Sequence, residues 1–251
     1  MTDLDALFRA ILEHPDDDTP RLIYADALED VGESRRAAFI RAQVELARLP
    51  EYDPFWVKCK YHDRELMFGT TEWVVRLPEL PDGLQWAREP FRRGFPAAIQ
   101  AQNGSAFVTH ADELFALAPV ERLELEMVQV REALPLSRCR WLSRLTRLSL
   151  PAGLGQAVAR RLLNSPHFER LTDLDIGAGF TNVTTANVVV GSQAFRRLKG
   201  LSYRDEQRGG AMVTELTRLA NPPRLKRLDL AGNRITAERL ARLVAAPALE
   251  A

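Results

Sequence analysis

Apolar and polar residues alternate in five short runs along the second half of the chain, and the runs return at a near-constant interval. Val120-Glu-Arg-Leu-Glu-Leu, Leu145-Thr-Arg-Leu-Ser-Leu, Leu171-Thr-Asp-Leu-Asp-Ile, Leu198-Lys-Gly-Leu-Ser-Tyr and Leu225-Lys-Arg-Leu-Asp-Leu begin 25, 26, 27 and 27 residues apart. Alternation over so few residues predicts strands with one buried and one solvated face. Between the runs, apolar residues recur at spacings of three and four, which predicts helices over 111–117, 156–163, 185–195, 212–219 and 236–244. Strand followed by helix, repeated, predicts an α/β fold with a parallel sheet on one side and helices on the other. The period extends both ways, since Phe95 stands 25 residues before Val120 and Leu249 stands 24 after Leu225.

The copy from Leu225 to Ile235 reads LKRLDLAGNRI. It resembles the leucine-rich-repeat consensus, with Asn233 at the asparagine position, where a side-chain amide can satisfy backbone groups of the turn after the strand. The resemblance implies a solenoid over residues 95–251, a parallel-sheet horseshoe similar to ribonuclease inhibitor, with strands on the concave face. Gly179 and Asp205 replace the asparagine in two other copies, which are therefore degenerate. Leu249-Glu250-Ala251 falls where a sixth strand would begin. An exposed solenoid end is a solubility hazard, so a covering partner or further repeats are expected there.

Residues 1–50 predict a small all-α domain of three helices. Leu4, Leu7, Phe8, Ile11 and Leu12 mark the first helix, which His14-Pro15 stops. Asp18-Thr19-Pro20 supplies a cap for the second, which carries Leu22, Ile23, Ala25, Ala27 and Leu28. Ser34 is expected to cap the third, burying Ala38, Phe39, Ala42, Leu46 and Leu49. The run HPDDDTPRLIYADALEDVGESRRAAFIRAQVELARLP resembles the repeat-companion domain, a short N-terminal domain of planctomycetes and other bacteria, often found ahead of leucine-rich repeats. The motifs that carry it are the Asp-rich turn, Pro-Arg-Leu-Ile-Tyr-Ala-Asp, Leu-Glu-Asp and the Arg-Ala-Xaa-Phe-Ile-Arg-Xaa-Gln helix. The resemblance implies an architecture and no reaction.

Residues 51–94 predict a connecting helix from Pro54 to Trp73, a proline-rich break over 77–83 and the start of a hairpin. Strands over 86–91 and 95–101 flank an Arg92-Arg93-Gly94 turn. Trp86, Phe91 and Phe95 are expected to cover the first end of the repeat array.

Charge separates the two halves. Residues 1–50 carry −5, residues 51–119 carry −3 and residues 120–251 carry +8, so the whole is neutral. The acidic front argues against a helix-turn-helix on DNA, because duplex affinity comes mainly from basic side chains. The basic back leaves a nucleic-acid-binding solenoid as an alternative, against which stands its poverty in exposed aromatics. The opening MTDLDALFRAILEH lacks a basic segment before a long apolar run, which predicts no secretory leader. No run of about 18 apolar residues predicts a membrane span. Two cysteines are too few for a disulfide framework, and a cytoplasmic protein is expected.

Motifs of catalysis are absent: no Gly-Xaa-Ser-Xaa-Gly elbow, no phosphate-binding loop, no His-Glu-Xaa-Xaa-His. The expectation is a chain without enzyme activity, cofactor or small-molecule substrate, in which a subunit of an enzyme complex is the most distant alternative. Cys59 and His62 stand one helical turn apart but are too few to hold a metal. Asp16-Asp17-Asp18 is read as a solvated capping turn.

Candidate binding residues follow from the repeat register. Inward leucines leave the intervening side chains on the concave face. One column is then Arg122, Arg147, Asp173, Gly200 and Arg227; the next is Glu124, Ser149, Asp175, Ser202 and Asp229; the third includes Glu126 and Arg204. The residue before the first leucine is Arg144, Arg170, Arg197 and Arg224 in four copies, which predicts an arginine rim. Together these predict a protein-protein interaction scaffold whose partner is another protein.

Overall fold

The computed structural model describes residues 3–49, 55, 60, 77–151, 153–177, 183–204, 210–219 and 223–245. Of the expected helix from Pro54 to Trp73, Phe55 and Lys60 are described, both helical; the rest of it, with Cys59, His62, Gly179, Asp205 and Leu249, lies outside them. The chain divides into two compact units, one of residues 1–80, 86–98 and 113–120, the other of 81–85, 99–112 and 121–251.

The first unit holds α1 (Asp3–Glu13), α2 (Thr19–Asp30) and α3 (Ser34–Arg48). Its core gathers Ile11, Tyr24, Ala25, Leu28, Ala37, Ile40, Val44 and Phe95, with Leu4, Leu7, Phe8 and Leu22 packed against them. The buried face of α3 is rotated from the expected one. Ala37, Phe39, Ile40, Gln43 and Val44 are buried, whereas Ala38, Ala42, Leu46 and Leu49 are half-buried. Ile23 lies exposed on α2. Neither expected cap forms: Ser34 is the first residue of α3 and gives no side-chain cap, and Asp17 rather than Asp18 accepts the Thr19 N–H, at 2.9 Å. That N–H holds the Asp17 carboxyl below the usual carboxylate range.

A hairpin completes this unit. β2 (Phe91–Arg92) and β3 (Phe95–Pro96) pair antiparallel around Arg93-Gly94. Both turn residues have positive φ, 51° and 82°, the backbone of a two-residue hairpin turn whose twist matches its strands. The strands are shorter than expected, and their aromatics do not end up where the repeat pattern put them. Phe95 is 2 % exposed and meets Tyr24 edge-on at 5.4 Å and Phe8 at 6.0 Å; Phe91 meets Phe39 edge-on at 5.4 Å. A Cβ on Gly94 would stand 2.7 Å from the Ile40 Cα, so only glycine brings the turn against α3. Gln43 is buried because its Oε1 accepts the Gly94 N–H at 3.5 Å. Arg93 fills the Asp-rich turn, pairing with Asp18 at 3.2 Å and Asp16 at 3.9 Å and donating to the Pro15 carbonyl. Arg21, 2 % exposed, lies over the Phe95 ring at 5.9 Å, and Arg41 bonds both Asp26 and Glu29 at 2.6 Å.

Seven strands among the described residues form a mostly parallel sheet in the order β1-β4-β5-β6-β7-β8-β9. These are Leu84–Trp86, Ala98–Ala101, Arg122–Leu125, Arg147–Leu150, Asp173–Ile176, Gly200–Tyr203 and Arg227–Asp229. Every neighbouring pair from β5 to β9 is parallel, with Leu123, Leu148, Leu174, Leu201 and Leu228 in one row. One bonding pattern begins each step. The N–H groups of Thr146 and Arg147 share the Glu121 carbonyl, those of Thr172 and Asp173 share Thr146, those of Lys199 and Gly200 share Thr172, and those of Lys226 and Arg227 share Lys199.

Helices α4 (Gly104–Leu117), α5 (Ala133–Ser137), α6 (Gln156–Leu163), α7 (Val183–Val190), α8 (Ala211–Arg218) and α9 (Ala237–Val244) alternate with these strands, and α5 to α9 pack each on the next. α7 ends before the expected 195, where a separate 3-10 turn, Phe195–Arg197, takes over. The stretch 126–144 carried no helical pattern, yet holds α5 between 3-10 turns Val130–Glu132 and Arg140–Arg144. Glu132 ties that stretch down. Burial raises its pKa, but the N–H groups of Gln129, Ser105 and Gly104 and the Ser105 hydroxyl outweigh it and hold the carboxyl below its usual range. Asn233 behaves as its position predicts: buried, its Nδ2 donates to the Tyr203 carbonyl at 2.6 Å and the Leu230 carbonyl at 2.7 Å.

Candidate functional site: the polar face of the parallel sheet

Alternation along each strand buries the leucines and leaves the residues between them on one polar face. The register brings the expected columns together: Arg122 beside Arg147, Arg147 beside Asp173, Asp173 beside Gly200, and Gly200 beside Arg227. In the second column Glu124 faces Ser149, Ser149 faces Asp175, Asp175 faces Ser202, and Ser202 faces Asp229.

The first column is held by one carboxylate. Asp173 accepts Arg227 at 2.5 Å and pairs with Arg147 at 3.5 Å, and its other oxygen accepts the Thr172 hydroxyl at 2.8 Å. Arg227 reaches Asp173 across an intervening strand because that strand carries Gly200. A Cβ there would lie 2.3 Å from the Asp173 Oδ1 and 3.0 Å from the Arg227 Nη2. Both atoms end flexible side chains at the surface, so the bridge can move aside. Gly200→Ala is expected to change the unfolding free energy by less than about 1 kcal/mol, because a half-exposed ion pair contributes little and alanine favours a strand over glycine. Urea denaturation measures this; a loss of several times that size would mean the bridge is structural.

The second column is acidic with serines between. Glu124 as a whole is exposed, yet partial desolvation of its carboxyl, and next the charge of Asp175, raise its pKa against the pull of Arg122 and Arg147. Successive acids sit two strands apart, about 10 Å, which spreads their mutual repulsion along the column. The Ser202 hydroxyl finds no hydrogen-bond partner among the described residues. In the third column, Glu126 accepts the Gln100 amide at 2.6 Å, and Arg204 pairs with Asp229 at 3.5 Å. Asp229 also accepts the Ala231 N–H. Sequence reasoning missed Gln100. The bond from the Glu126 N–H to the Ala101 carbonyl matches that from Gly177 to Leu150 two repeats on, which extends the second column to Gln100.

Each rim arginine precedes the leucine that opens a strand, at the same end of the sheet. Their surroundings differ. Arg197 donates to the Phe168 carbonyl at 3.0 Å and so closes the preceding turn. Arg144 ends a 3-10 turn and, like Arg170, is half-buried, whereas Arg224 is exposed. The rim is thus partly a structural ladder and not four equivalent surface charges.

Away from this face, an open depression is bordered by Gln156, Ala157, Arg160 and Arg161 of α6, and Asp112 joins the Trp141 indole and Arg140. Among the described residues, no group of three or more His, Cys, Asp or Glu could hold a metal, and no helix is long and apolar enough to cross a membrane. Comparison with protein-family models, with curated proteins and with solved structures finds no match to this chain.

Proposed function

We propose that the chain is a non-catalytic protein-binding scaffold: a short leucine-rich-repeat solenoid with a bacterial repeat-companion domain at its N-terminus, working in the cytoplasm. The 25–27-residue period, the repeated bonding at each strand start and the buried Asn233 amide support the repeat reading. One observation carries the function. Five in-register parallel strands present fixed columns of carboxylates and guanidiniums on a face that the chain's own leucines leave to solvent.

A partner laying a basic segment along Glu124, Asp175 and Asp229, with an acidic element near Arg144, Arg170 and Arg224, matches that pattern. Arg122, Arg147, Ser149, Asp173, Ser202, Arg204, Arg227 and Glu126 surround the acids. Arg197, already bonded to a carbonyl, is assigned to the turn. Such complementarity sets orientation and association rate more than affinity. The reading calls for no cofactor and no small-molecule substrate.

The test is affinity capture with the intact chain, a Glu124→Lys and Asp175→Lys double variant, and Glu238→Lys on α9 as a control at an exposed helical site. A protein retained by wild type and control is expected to bind the double variant at least about tenfold more weakly at low salt, mainly through slower association. If no captured protein depends on the acidic column, the scaffold reading of this face fails.

A further inference from the structure

Two neighbouring repeats carry cations that their own segments do not balance. Residues 176–204 contain no Asp or Glu, and neither do residues 216–228. These segments place Arg196, Lys199, Arg224 and Lys226 at the end of the sheet where β8 and β9 begin, and all of them are exposed. None of these side chains forms an ion pair or a hydrogen bond among the described residues. Arg196 and Lys199 are exposed although β7 and β9 flank β8 on both sides, so the exposure belongs to this end of the sheet and not to the outer edge of β9.

The same step of the fold is built differently in the repeats before. There the residue just ahead of the strand is Thr146 or Thr172, whose hydroxyl donates to the Glu121 or the Thr146 carbonyl at 3.3 Å. Lys199 and Lys226 take that position on β8 and β9, where the Lys226 N–H bonds the Lys199 carbonyl at 2.7 Å. The two lysines are therefore strand neighbours, about 4.8 Å apart along the backbone, and like charges so placed repel. The arginine rim does not share this freedom along its length. Arg144 and Arg170 are half-buried with contacts of their own, and Arg197 is bonded to the Phe168 carbonyl. The unpaired cations thus gather at the starts of β8 and β9.

An oxyanion relieves the repulsion, and the surroundings favour carboxylates over a phosphate backbone. The whole chain is neutral, so it has no net charge with which to draw in a nucleic acid from a distance. Base stacking also lacks a platform: Phe195 and Tyr203, the described aromatics of these segments, are each 1 % exposed. A cluster confined to two repeats matches a short run of charges. We infer that the Lys199–Lys226 pair, flanked by Arg196 and Arg224, docks a short acidic peptide segment of the protein partner, with several carboxylates within a few residues. This rests on the reading of the chain as a protein scaffold, and it narrows the acidic element's site from the whole rim to the starts of β8 and β9.

Fluorescence anisotropy tests it, with a labelled dodecapeptide of alternating Glu and Ser titrated with the intact chain. The titration runs in about 100 mM salt and up to about 500 μM chain, because exposed ion pairs each contribute little and distant charges are then screened. The wild type is expected to bind. Lys199→Glu with Lys226→Glu should weaken binding at least about tenfold, with circular dichroism unchanged. Arg131→Glu with Arg160→Glu makes the same change of net charge at exposed positions on two earlier repeats, and should shift binding by less than about threefold. Glu124→Lys with Asp175→Lys should bind the peptide at least as well as wild type, so failure of the acidic column in affinity capture and failure of this site are read separately. A wild type that does not bind, or equal losses in the lysine and arginine double variants, would overturn the inference. So would lysine-dependent binding of a twelve-residue thymidine oligonucleotide that is tighter than that of the peptide, which would assign the cluster to a phosphate backbone.

Discussion

Phe95→Ala is expected to cost about 3–5 kcal/mol and to be felt in α1, α2 and α3. The ring is 2 % exposed, shares a core with Ile11, Tyr24, Ala25, Leu28 and Ile40, and carries the buried Arg21 guanidinium over its face. Truncation would open a cavity and strip the arginine of its aromatic cover at once, and three short helices have little other apolar surface to offset that. Hydrogen exchange by mass spectrometry would locate the effect. Faster exchange in α1 to α3, with β5 to β9 unchanged, is the expected result. The opposite distribution would assign the hairpin to the end of the sheet, as the repeat period had suggested. By the same reasoning, a fragment stopping at residue 50 lacks Phe91, Phe95 and the Gly94 turn, and is expected to show far less helical ellipticity than the same residues in the full chain.

That misplacement shows where sequence reading works and where it stops. Periodicity located the strands from β5 to β9 to within a residue, because a repeated burial pattern leaves its mark at every turn of the chain. The columns on the polar face followed, since alternation fixes which side chains share a face. Phe95 fell on the same 25-residue period, yet its ring lies among helices; spacing records the distance between apolar residues and not what they pack against. Gln43 and Arg21 were unreadable as core for a related reason. Each is polar and is met in the core by a group distant in sequence, the Gly94 N–H or the Phe95 ring. Asp16, Asp17 and Asp18 read as a solvated turn, yet Arg93 and Arg48, both distant in the chain, pair with Asp18, and Arg93 reaches Asp16 as well. α5 went unseen because its five residues, Ala133–Ser137, are too few to display a helical period. Gly200 was visible only as a gap in a column; its role in letting Asp173 meet Arg227 needed the geometry of both side chains.

Leu148→Ala and Leu228→Ala occupy the same row of the same sheet and should nevertheless differ. Leu148 is 0 % exposed between two flanking strands, so its truncation is expected to cost about 2–5 kcal/mol, transfer and cavity together. Leu228 is half-buried on the last strand, where removed methyl groups leave a notch open to water and not a cavity. About 1–2 kcal/mol is expected there, from the smaller area withdrawn from water. Equal losses in denaturant titrations at low protein concentration would mean that β9 is covered as completely as β6.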